Sequence, residues 1–359
     1  MSILITGGAG FIGSHLARLF VERGERVVVL DKLTYAGSRK NLDGCLDQPG
    51  RSATSVPSPL AEDTSSGRPG FRFYRGDVRD RELLKQITEE TETKNIMHLA
   101  AETHVDRSIR DADGFLETNV MGTHAVLEAA RGCGVERFVL VSTDEVYGEC
   151  LEGSKKETDA LRPRNPYSAS KAAQEHLAYS YWVTHGVPVV IVRGCNNYGP
   201  CQHPEKFIPK VISNALEGLP IPLYGDGSQT REWIHVMDFT RAVALLMEKG
   251  ICGEVYNVGS GIEKKNIALA EMLLDELGAS RGLITHVRDR LGHDRRYAIN
   301  SARVRDLGWK PEISFETGLR QTVKWFKENR GHICNTVEGM VGVAGLKPCN
   351  TPLSGGPGL

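Results

Sequence analysis

The chain has 359 residues, which is long enough to bury the core of one large domain or of two interlocked domains. Its formal net charge is -1, from 44 basic and 45 acidic residues, so no broad electrostatic field attracts nucleic acid or an anionic membrane. Any anionic ligand must therefore be bound by a local group of basic residues.

The sequence also lacks the signals of export, membrane insertion and metal binding. No apolar run approaches the roughly 20 residues of a membrane span, and Met1 and Ser2 lead into a strand pattern without a signal peptide. The eight cysteines are scattered and form no C-x-x-C pair, so we expect reduced thiols, without a disulfide framework or a metal site. These features predict a cytoplasmic protein with no nucleic-acid partner and no membrane partner.

A glycine-rich motif lies between the first predicted strand, Ser2–Thr6, and the first helical pattern, Ser14–Arg23. The motif consists of Gly7, Gly10 and Gly13, with Phe11 and Ile12 between the last two glycines. Glycines at this spacing form a tight turn and let a pyrophosphate approach backbone N–H groups at the start of a helix. Strand, loop and helix in this order predict a dinucleotide-binding site.

The second predicted strand, Arg26–Leu30, is followed directly by Asp31. In dinucleotide-binding folds, an acidic residue about 20 positions beyond the glycine loop hydrogen-bonds a ribose 2′-hydroxyl and would repel a 2′-phosphate. Asp31 therefore favours NAD over NADP. The alternative is that this carboxylate only caps a helix.

The stretch from Cys45 to Gly70 is rich in Ser, Pro, Gly and Thr, and it has too few apolar residues to offset the entropy lost on ordering. We expect a surface insertion here that is partly disordered. Strands are predicted after it at Phe71–Arg75 and Asn95–Ala101. Asp77 follows the first of these strands, where it either accepts from an adenine amino group or forms a turn. His104 follows the second, and a structural role is favoured over a catalytic one.

A hydroxyl and two adjacent carboxyls, Thr143, Asp144 and Glu145, follow the apolar run 137–141, which is typical of a buried parallel strand. Open α/β sheets bind their ligands outside the carboxyl ends of the strands, so these three side chains are candidates for chemistry. The alternative is that the two carboxyls cap a helix.

Tyr167 and Lys171 are four residues apart in a helical pattern, so they lie on the same face of the predicted helix. A neighbouring ammonium favours the phenolate and lowers the pKa of a tyrosine. Tyr167 is therefore a candidate base near neutral pH.

The alternation of strands and helices through residue 198 predicts an α/β fold, a doubly wound parallel sheet of the Rossmann type, which segment 233–258 rejoins. Short elements rich in Pro and Gly then predict a smaller, interleaved C-terminal domain over 199–330, with loops over the cleft near Pro220–Tyr224. Leu291–Tyr297 is a basic cluster that suits a phosphate, unless it is only a solvated turn. Residues 331–359 are expected to form a loose tail.

Four stretches resemble the dTDP-glucose 4,6-dehydratases, a family within the extended short-chain dehydrogenase/reductase superfamily. They are Asp31–Gly37, His98–Ser108, Thr143–Gly148 and His293–Tyr297. The likeness covers residues 1–330 apart from the insertion. The adjacent carboxyl pair is the discriminating feature, because epimerases and decarboxylases of this superfamily usually lack it.

The resemblance implies an NAD-dependent lyase that dehydrates a nucleoside-diphosphate hexose and acts as a homodimer. The reaction would oxidise C4, eliminate water across C5 and C6, and return hydride to C6. dTDP-glucose is the favoured substrate and UDP-glucose remains open. The alternatives are a sugar-nucleotide 4-epimerase or decarboxylase and, from another class, a non-catalytic NAD-binding regulator.

Three sets of candidate residues follow. The catalytic set is Thr143, Asp144, Glu145, Tyr167 and Lys171. The NAD-binding set is Gly7, Gly10, Phe11, Ile12, Gly13, Asp31, Lys32, Thr34, Asp77, Val78, Leu99, Ala100, Ala101, Thr103, Tyr167, Lys171 and Asn197. The substrate-binding set is Thr103, Thr143, Asn196, Lys206, Phe207, Pro222, Leu223, Tyr224, Arg231, Asn266, His293, Arg296 and Tyr297.

Overall fold

Strands and helices alternate along the chain, of which the computed structural model describes residues 1–46 and 70–331. The strands are β1 Ser2–Thr6, β2 Arg26–Asp31, β3 Phe71–Arg75, β4 Asn95–His98, β5 Arg137–Thr143, β6 Val189–Gly194, β7 Asn196–Tyr198, β8 Ile221–Tyr224, β9 Thr230–His235, β10 Val255–Val258, β11 Glu263–Lys265 and β12 Ile284–Val287. The α-helices are α1 Phe11–Glu22, α2 Asp43–Leu46, α3 Arg81–Glu90, α4 Val105–Arg110, α5 Asp113–Phe115, α6 Gly122–Cys133, α7 Pro166–His185, α8 Phe207–Glu217, α9 Val236–Lys249, α10 Asn266–Leu277, α11 Ala302–Asp306 and α12 Phe315–Glu328. The other helical segments are the 3-10 turns Arg39–Leu42, Asp144–Tyr147 and Arg281–Leu283 and the π-helical segment Leu116–Met121.

The largest sheet is parallel and has the strand order β10-β6-β5-β4-β1-β2-β3. Its strands are buried on both faces, as the helical cover of a parallel sheet requires. Ile3 and Ile5 of β1 pack with helices α1 and α9 on one face, whereas Leu4 packs with α3 and α6 on the other. This arrangement confirms the predicted Rossmann-type α/β fold.

Two small sheets form the rest of the β structure of the described residues. One has the order β11-β9-β7, and the other pairs β12 with β8. Helices α8, α10 and α12 pack with these sheets around Ile212, Leu273 and Phe326, which are fully buried. These elements place the second half of the chain beside the carboxyl ends of the large sheet.

Two segments differ from the interpretation of the sequence. Pro220–Tyr224, predicted as a loop, contains β8; Pro222 donates no backbone hydrogen bond, but a strand in a two-stranded sheet has a free edge that tolerates proline. Within 233–258, β10 joins the large sheet beside β6 as predicted, whereas β9 pairs with β7 and β11 instead. The local sequence of β9, in which only Trp233 and Ile234 are large and apolar, does not indicate with which sheet the strand pairs.

The predicted insertion at 45–70 and the predicted tail at 331–359 lie almost wholly outside the described residues. Cys45 is an exception, because it is fully buried in α2 and belongs to the cluster around α1. Cys45 is therefore part of the core and not of a surface insertion. No helix of the described residues combines the length and the hydropathy that crossing a membrane requires.

Candidate active site

Two adjoining clefts open at the carboxyl ends of the parallel strands, where open α/β sheets bind their ligands. The first cleft has a volume of about 340 Å³ and the second a volume of about 230 Å³. Glu145, Asn196 and Lys206 line both clefts. The two spaces therefore meet at these side chains.

The whole set of residues predicted to bind NAD lines the first cleft. It comprises Gly7, Gly10, Phe11, Ile12, Gly13, Asp31, Lys32, Thr34, Asp77, Val78, Leu99, Ala100, Ala101, Thr103, Tyr167, Lys171 and Asn197. These residues follow successive strands of the large sheet, so the fold brings together positions that are far apart in sequence. Their contacts with a cofactor remain a prediction.

The glycine loop forms a close backbone cradle at the start of α1. Gly7 has a φ of +69°, and a Cβ atom there would lie 2.7 Å from the backbone nitrogen of Ala100. A Cβ atom on Gly13 would lie 2.3 Å from the carbonyl oxygen of Gly7. Gly10, the N-cap residue of α1, has no side chain to cap the helix, so the first backbone N–H groups remain available to an anion. This cradle fits the pyrophosphate of a dinucleotide.

Asp31 ends strand β2 at the edge of the first cleft and does not cap a helix. Its carboxylate accepts from the backbone N–H of Ala9 at 2.9 Å and from that of Leu33 at 2.8 Å. These two bonds fix the carboxylate and leave further acceptor sites on its oxygens. The position fits a ribose with free hydroxyls. Close by, Lys32 and Asp77 form an ion pair at 2.8 Å across the lining of the cleft.

The carboxyl pair lies on a 3-10 turn that begins where β5 ends. Thr143, not an acid, caps this turn: its hydroxyl accepts from the backbone N–H of Glu145 at 3.2 Å and donates to Asp144 at 3.3 Å. Among the described residues, Oδ2 of Asp144 and Oε2 of Glu145 are buried without a hydrogen-bond partner. The alternative of a capping pair is therefore not what the structure shows.

Asp144 is 3 % exposed, whereas Glu145 is half-buried. Burial and the negative charge of the neighbouring Glu145 raise the pKa of Asp144 well above its ordinary value. This shift favours the protonated form of Asp144, which can act as a proton donor. Adjacent carboxyls in unequal surroundings divide acid and base roles in this way.

Tyr167 and Lys171 lie one turn apart near the start of α7 and both line the first cleft, as predicted. Lys171 donates from Nζ to the carbonyl oxygen of Val141 at 2.8 Å. The predicted lowering of the tyrosine pKa is wrong for this structure. Burial and the Glu145 carboxyl raise the pKa of Tyr167, although a hydrogen bond with Thr143 opposes the rise. Burial also lowers the pKa of Lys171 to about 8.

Most residues predicted to bind the substrate line the second cleft. They are Thr103, Asn196, Lys206, Phe207, Pro222, Leu223, Tyr224, Arg231, Asn266 and His293. Thr143 lines the first cleft instead. Phe207, Tyr224 and Trp233 supply aromatic surface beside the cations of this cleft. The combination of aromatic rings and cations suits a nucleotide.

Arg231 is a buried cation at the second cleft. It donates to the backbone carbonyls of Thr230 and Asp294, each at 2.8 Å, and stacks 4.3 Å above the ring of Tyr297. Burial lowers the pKa of Arg231, and an anion in the cleft would relieve that cost. Arg296 and Tyr297 line neither cleft: Arg296 pairs with Glu263 at 2.6 Å, and Tyr297 donates to Asp294. A direct role for them in substrate binding remains a prediction.

Several lining residues were missed from the sequence. Arg290 and Lys210 line the second cleft, and the buried Nε of Arg290 has no partner among the described residues. Arg290 directly precedes the predicted basic cluster, so a wider reading of that cluster would have found it. His104 caps helix α4 by accepting from the backbone N–H of Arg107, which is a structural role, and it also lines the second cleft. Gln202 lines the first cleft, and no motif pointed to it.

The comparisons with known proteins agree with this geometry. Residues 4–322 match the family model described as GDP-mannose 4,6 dehydratase. The chain is 47 % identical to the low-salt glycan biosynthesis protein Agl12 of Haloferax volcanii, over 91 % of this chain and 98 % of that protein. It is 43 % identical to the dTDP-glucose 4,6-dehydratase of Streptomyces niveus, over 92 % of this chain and 94 % of the relative.

A solved structure shows the same fold. DesIV, the dTDP-glucose 4,6-dehydratase of Streptomyces venezuelae with NAD and TYD bound, superimposes with a TM-score of 0.84 at 45 % identity. The match covers 92 % of this chain and 98 % of that one. The chain therefore belongs to the GDP-mannose 4,6 dehydratase family and, among its members, stands with the dTDP-glucose 4,6-dehydratases.

Proposed function

We propose that this protein binds NAD and dehydrates a nucleoside-diphosphate hexose, with dTDP-glucose as the preferred substrate and a 4-keto-6-deoxy sugar as the product. The observation that carries the proposal is the carboxyl pair at the junction of the two clefts. Asp144 is buried there with a raised pKa, and Glu145 lines both spaces. A dehydration needs one acid and one base at adjacent carbons, and these residues supply both.

The first cleft is proposed to hold NAD along the glycine cradle, Asp31 and the ends of the central strands. When bound there, NAD supplies a hydride acceptor and donor and a positively charged ring. Tyr167 takes the proton of the C4 hydroxyl with the help of Thr143, which lines the same cleft. Because burial raises the pKa of the phenol, this step depends on the positive charge of Lys171 beside it.

The carboxyl pair is proposed to carry out the elimination. Once C4 is a ketone, the hydrogen on C5 becomes acidic, and Glu145 removes it. Asp144 gives its proton to the departing C6 hydroxyl, which leaves as water. The burial that favours the neutral form of Asp144 also keeps bulk water from competing for that proton. Return of the hydride to C6 and of a proton to C5 then completes the 4-keto-6-deoxy product.

The second cleft is proposed to bind the nucleotide. Arg231 is favoured for the diphosphate because a guanidinium matches phosphate oxygens in pairs. The name of the Streptomyces niveus relative supports dTDP-glucose over UDP-glucose as substrate.

We also propose a homodimer located in the cytoplasm. Tyr179 and Val183, one turn apart on α7, are 53 % and 64 % exposed, and the adjoining π-helical segment exposes Leu116 and Met121. Large apolar side chains grouped in this way favour a protein contact. The thiols of Cys133, Cys150, Cys195, Cys201 and Cys252 are in no disulfide, which suits a reducing compartment.

Incubating the purified protein with dTDP-glucose or UDP-glucose in deuterium oxide tests the reaction. We expect a 4-keto-6-deoxy product, detected by its absorbance in alkali, with deuterium at C5 and faster turnover of dTDP-glucose. A product that keeps its C6 oxygen and gains no deuterium at C5 would support a 4-epimerase instead. No turnover of either sugar by NAD-loaded protein would support a regulator.

A further inference from the structure

One buried side chain, Arg193 at the end of β6, contacts both elements that carry the proposed catalytic residues. On one side it holds Glu175 of α7: its Nε lies 3.1 Å and 3.0 Å from the two carboxylate oxygens. Glu175 stands one helical turn beyond Lys171, so this ion pair fixes the helix that carries Tyr167 and Lys171. The side chains of Arg193 and Glu175 are only 6 % and 3 % exposed.

On its other side, Arg193 holds the turn that carries the carboxyl pair. Its Nη1 donates to the hydroxyl of Tyr147, the last residue of that turn, at 2.5 Å. The hydroxyl of Tyr147 donates in turn to Oδ1 of Asn257 on β10 at 2.9 Å. Burial raises the pKa of Tyr147 to about 12, so the hydroxyl keeps the proton that it donates. In the β5–β6 register, Arg193 also faces Ser142, two residues before Asp144.

The turn is therefore held at both ends by elements that contact Arg193. At its start, the β5–β6 ladder fixes Thr143 opposite Gly194. At its end, Tyr147 is clamped between Arg193 and Asn257. Removing only the hydroxyl of Tyr147 would leave a guanidinium N–H and an amide oxygen without their partner, in a site that is almost entirely buried.

We propose that Arg193, acting through Tyr147, is a positioning residue that holds the carboxyl pair at a fixed position relative to Tyr167 and Lys171. The inference rests on the proposed function, because it assigns oxidation to α7 and elimination to the turn that carries the carboxyl pair. It predicts that loosening the Tyr147 contact slows elimination more than oxidation. A purely structural contact would affect both steps alike.

The test is Tyr147→Phe, which keeps the ring and removes the hydroxyl. The two steps are separated in a single turnover by the absorbance of reduced cofactor and by the appearance of keto product. We expect elimination to slow by about tenfold, the effect of one hydrogen bond to a charged group, with oxidation nearly unchanged. Reduced cofactor should then accumulate above the wild-type level.

Tyr256→Phe is the matched control, because that tyrosine is equally buried and its hydroxyl accepts from the backbone N–H of Ile251, away from the turn. Thermal unfolding is followed for both variants. The inference is overturned if Tyr147→Phe is less stable but keeps the wild-type ratio of the oxidation and elimination rates. It is also overturned if oxidation and elimination slow equally. If the wild-type enzyme itself forms no keto product, the proposed function fails, and that outcome is distinct from the failure of the positioning role.

Discussion

At the scale of single residues, two neighbouring carboxyls acquire different properties from their surroundings. Asp144 is enclosed, and Glu145 reaches the junction of the two clefts. The sequence placed the pair at the end of a strand but could not show which acid is buried. That difference depends on residues from distant elements, such as Glu232, whose charge also raises the pKa of Asp144.

The raised pKa of Asp144 predicts a pH-dependent effect of Asp144→Asn on stability. At pH values above the ordinary pKa of an aspartate, the unfolded state releases a proton that Asp144 retains in the folded state. The stability of the wild type therefore falls as the pH rises from that ordinary pKa to the raised pKa of folded Asp144. The amide variant lacks this titration. We therefore expect its free energy of unfolding, relative to wild type, to increase over that window by at most about 1.4 kcal/mol per pH unit.

Denaturant unfolding at a series of pH values, from about pH 5 to about pH 9, measures this difference. Asp306→Asn, at an exposed position, is the control and should show no comparable trend. A constant difference between Asp144→Asn and wild type across the series would show that Asp144 has no raised pKa.

At the scale of elements, the glycine loop and α1 were predictable because their geometry depends on local sequence. The strand β1 has the predicted bounds, and Gly7 and Gly13 stand where the backbone approaches itself closely. A helical stretch runs from Asp113 to Cys133, but its middle part, Leu116–Met121, is π-helical. In this segment, the side chain of Asn119 accepts from the backbone N–H of Glu102 and donates to its carbonyl oxygen. The hydrophobic periodicity of a sequence does not reveal such a long-range contact.

The close packing at Gly13 predicts that Gly13→Ala prevents cofactor binding. A methyl group there would lie 2.3 Å from the carbonyl oxygen of Gly7 and force the loop away from α1. Gly132→Ala is the matched control, because a Cβ atom on Gly132, in α6, meets no atom within 4 Å. We expect Gly132→Ala to retain wild-type NAD content after purification and Gly13→Ala to lose most of it. Equal NAD content in both variants would contradict the cradle.

The tyrosine at the start of α7 shows where local pattern is insufficient. Spacing placed Tyr167 and Lys171 on one face of the helix, and the structure agrees. The pattern could not show that both side chains are enclosed, nor that Glu145 lies close enough to raise the pKa of the phenol. The sign of the pKa shift therefore depended on tertiary contacts.

At the scale of the whole molecule, the parallel sheet and most of the two clefts followed from the sequence. The alternation of strands and helices predicted the sheet, and the motifs after each strand predicted its ligand-binding edge. The sheet that β9 joins and the ion pair of Arg296 with Glu263 could not be predicted from the sequence, because pairing between distant segments has no local signature. The segments 47–69 and 332–359 lie outside the described residues.

The exposed apolar side chains predict that the chain associates through α7. Val183→Glu places a charge in this patch and should convert a dimer to a monomer in light scattering coupled to size exclusion. Ile251→Glu, at a position that is 63 % exposed outside α7, should leave the dimer intact. A wild-type monomer, or a dimer that tolerates Val183→Glu, would contradict the proposed interface.

The central claim is that Asp144 and Glu145 divide the acid and base work of one elimination. Its most direct measurement is a single turnover of dTDP-glucose by NAD-loaded Asp144→Asn and Glu145→Gln in deuterium oxide. We expect both variants to reduce the cofactor while forming little keto product, and Glu145→Gln to leave C5 free of deuterium. Dehydration by both variants at the wild-type rate would contradict the claim.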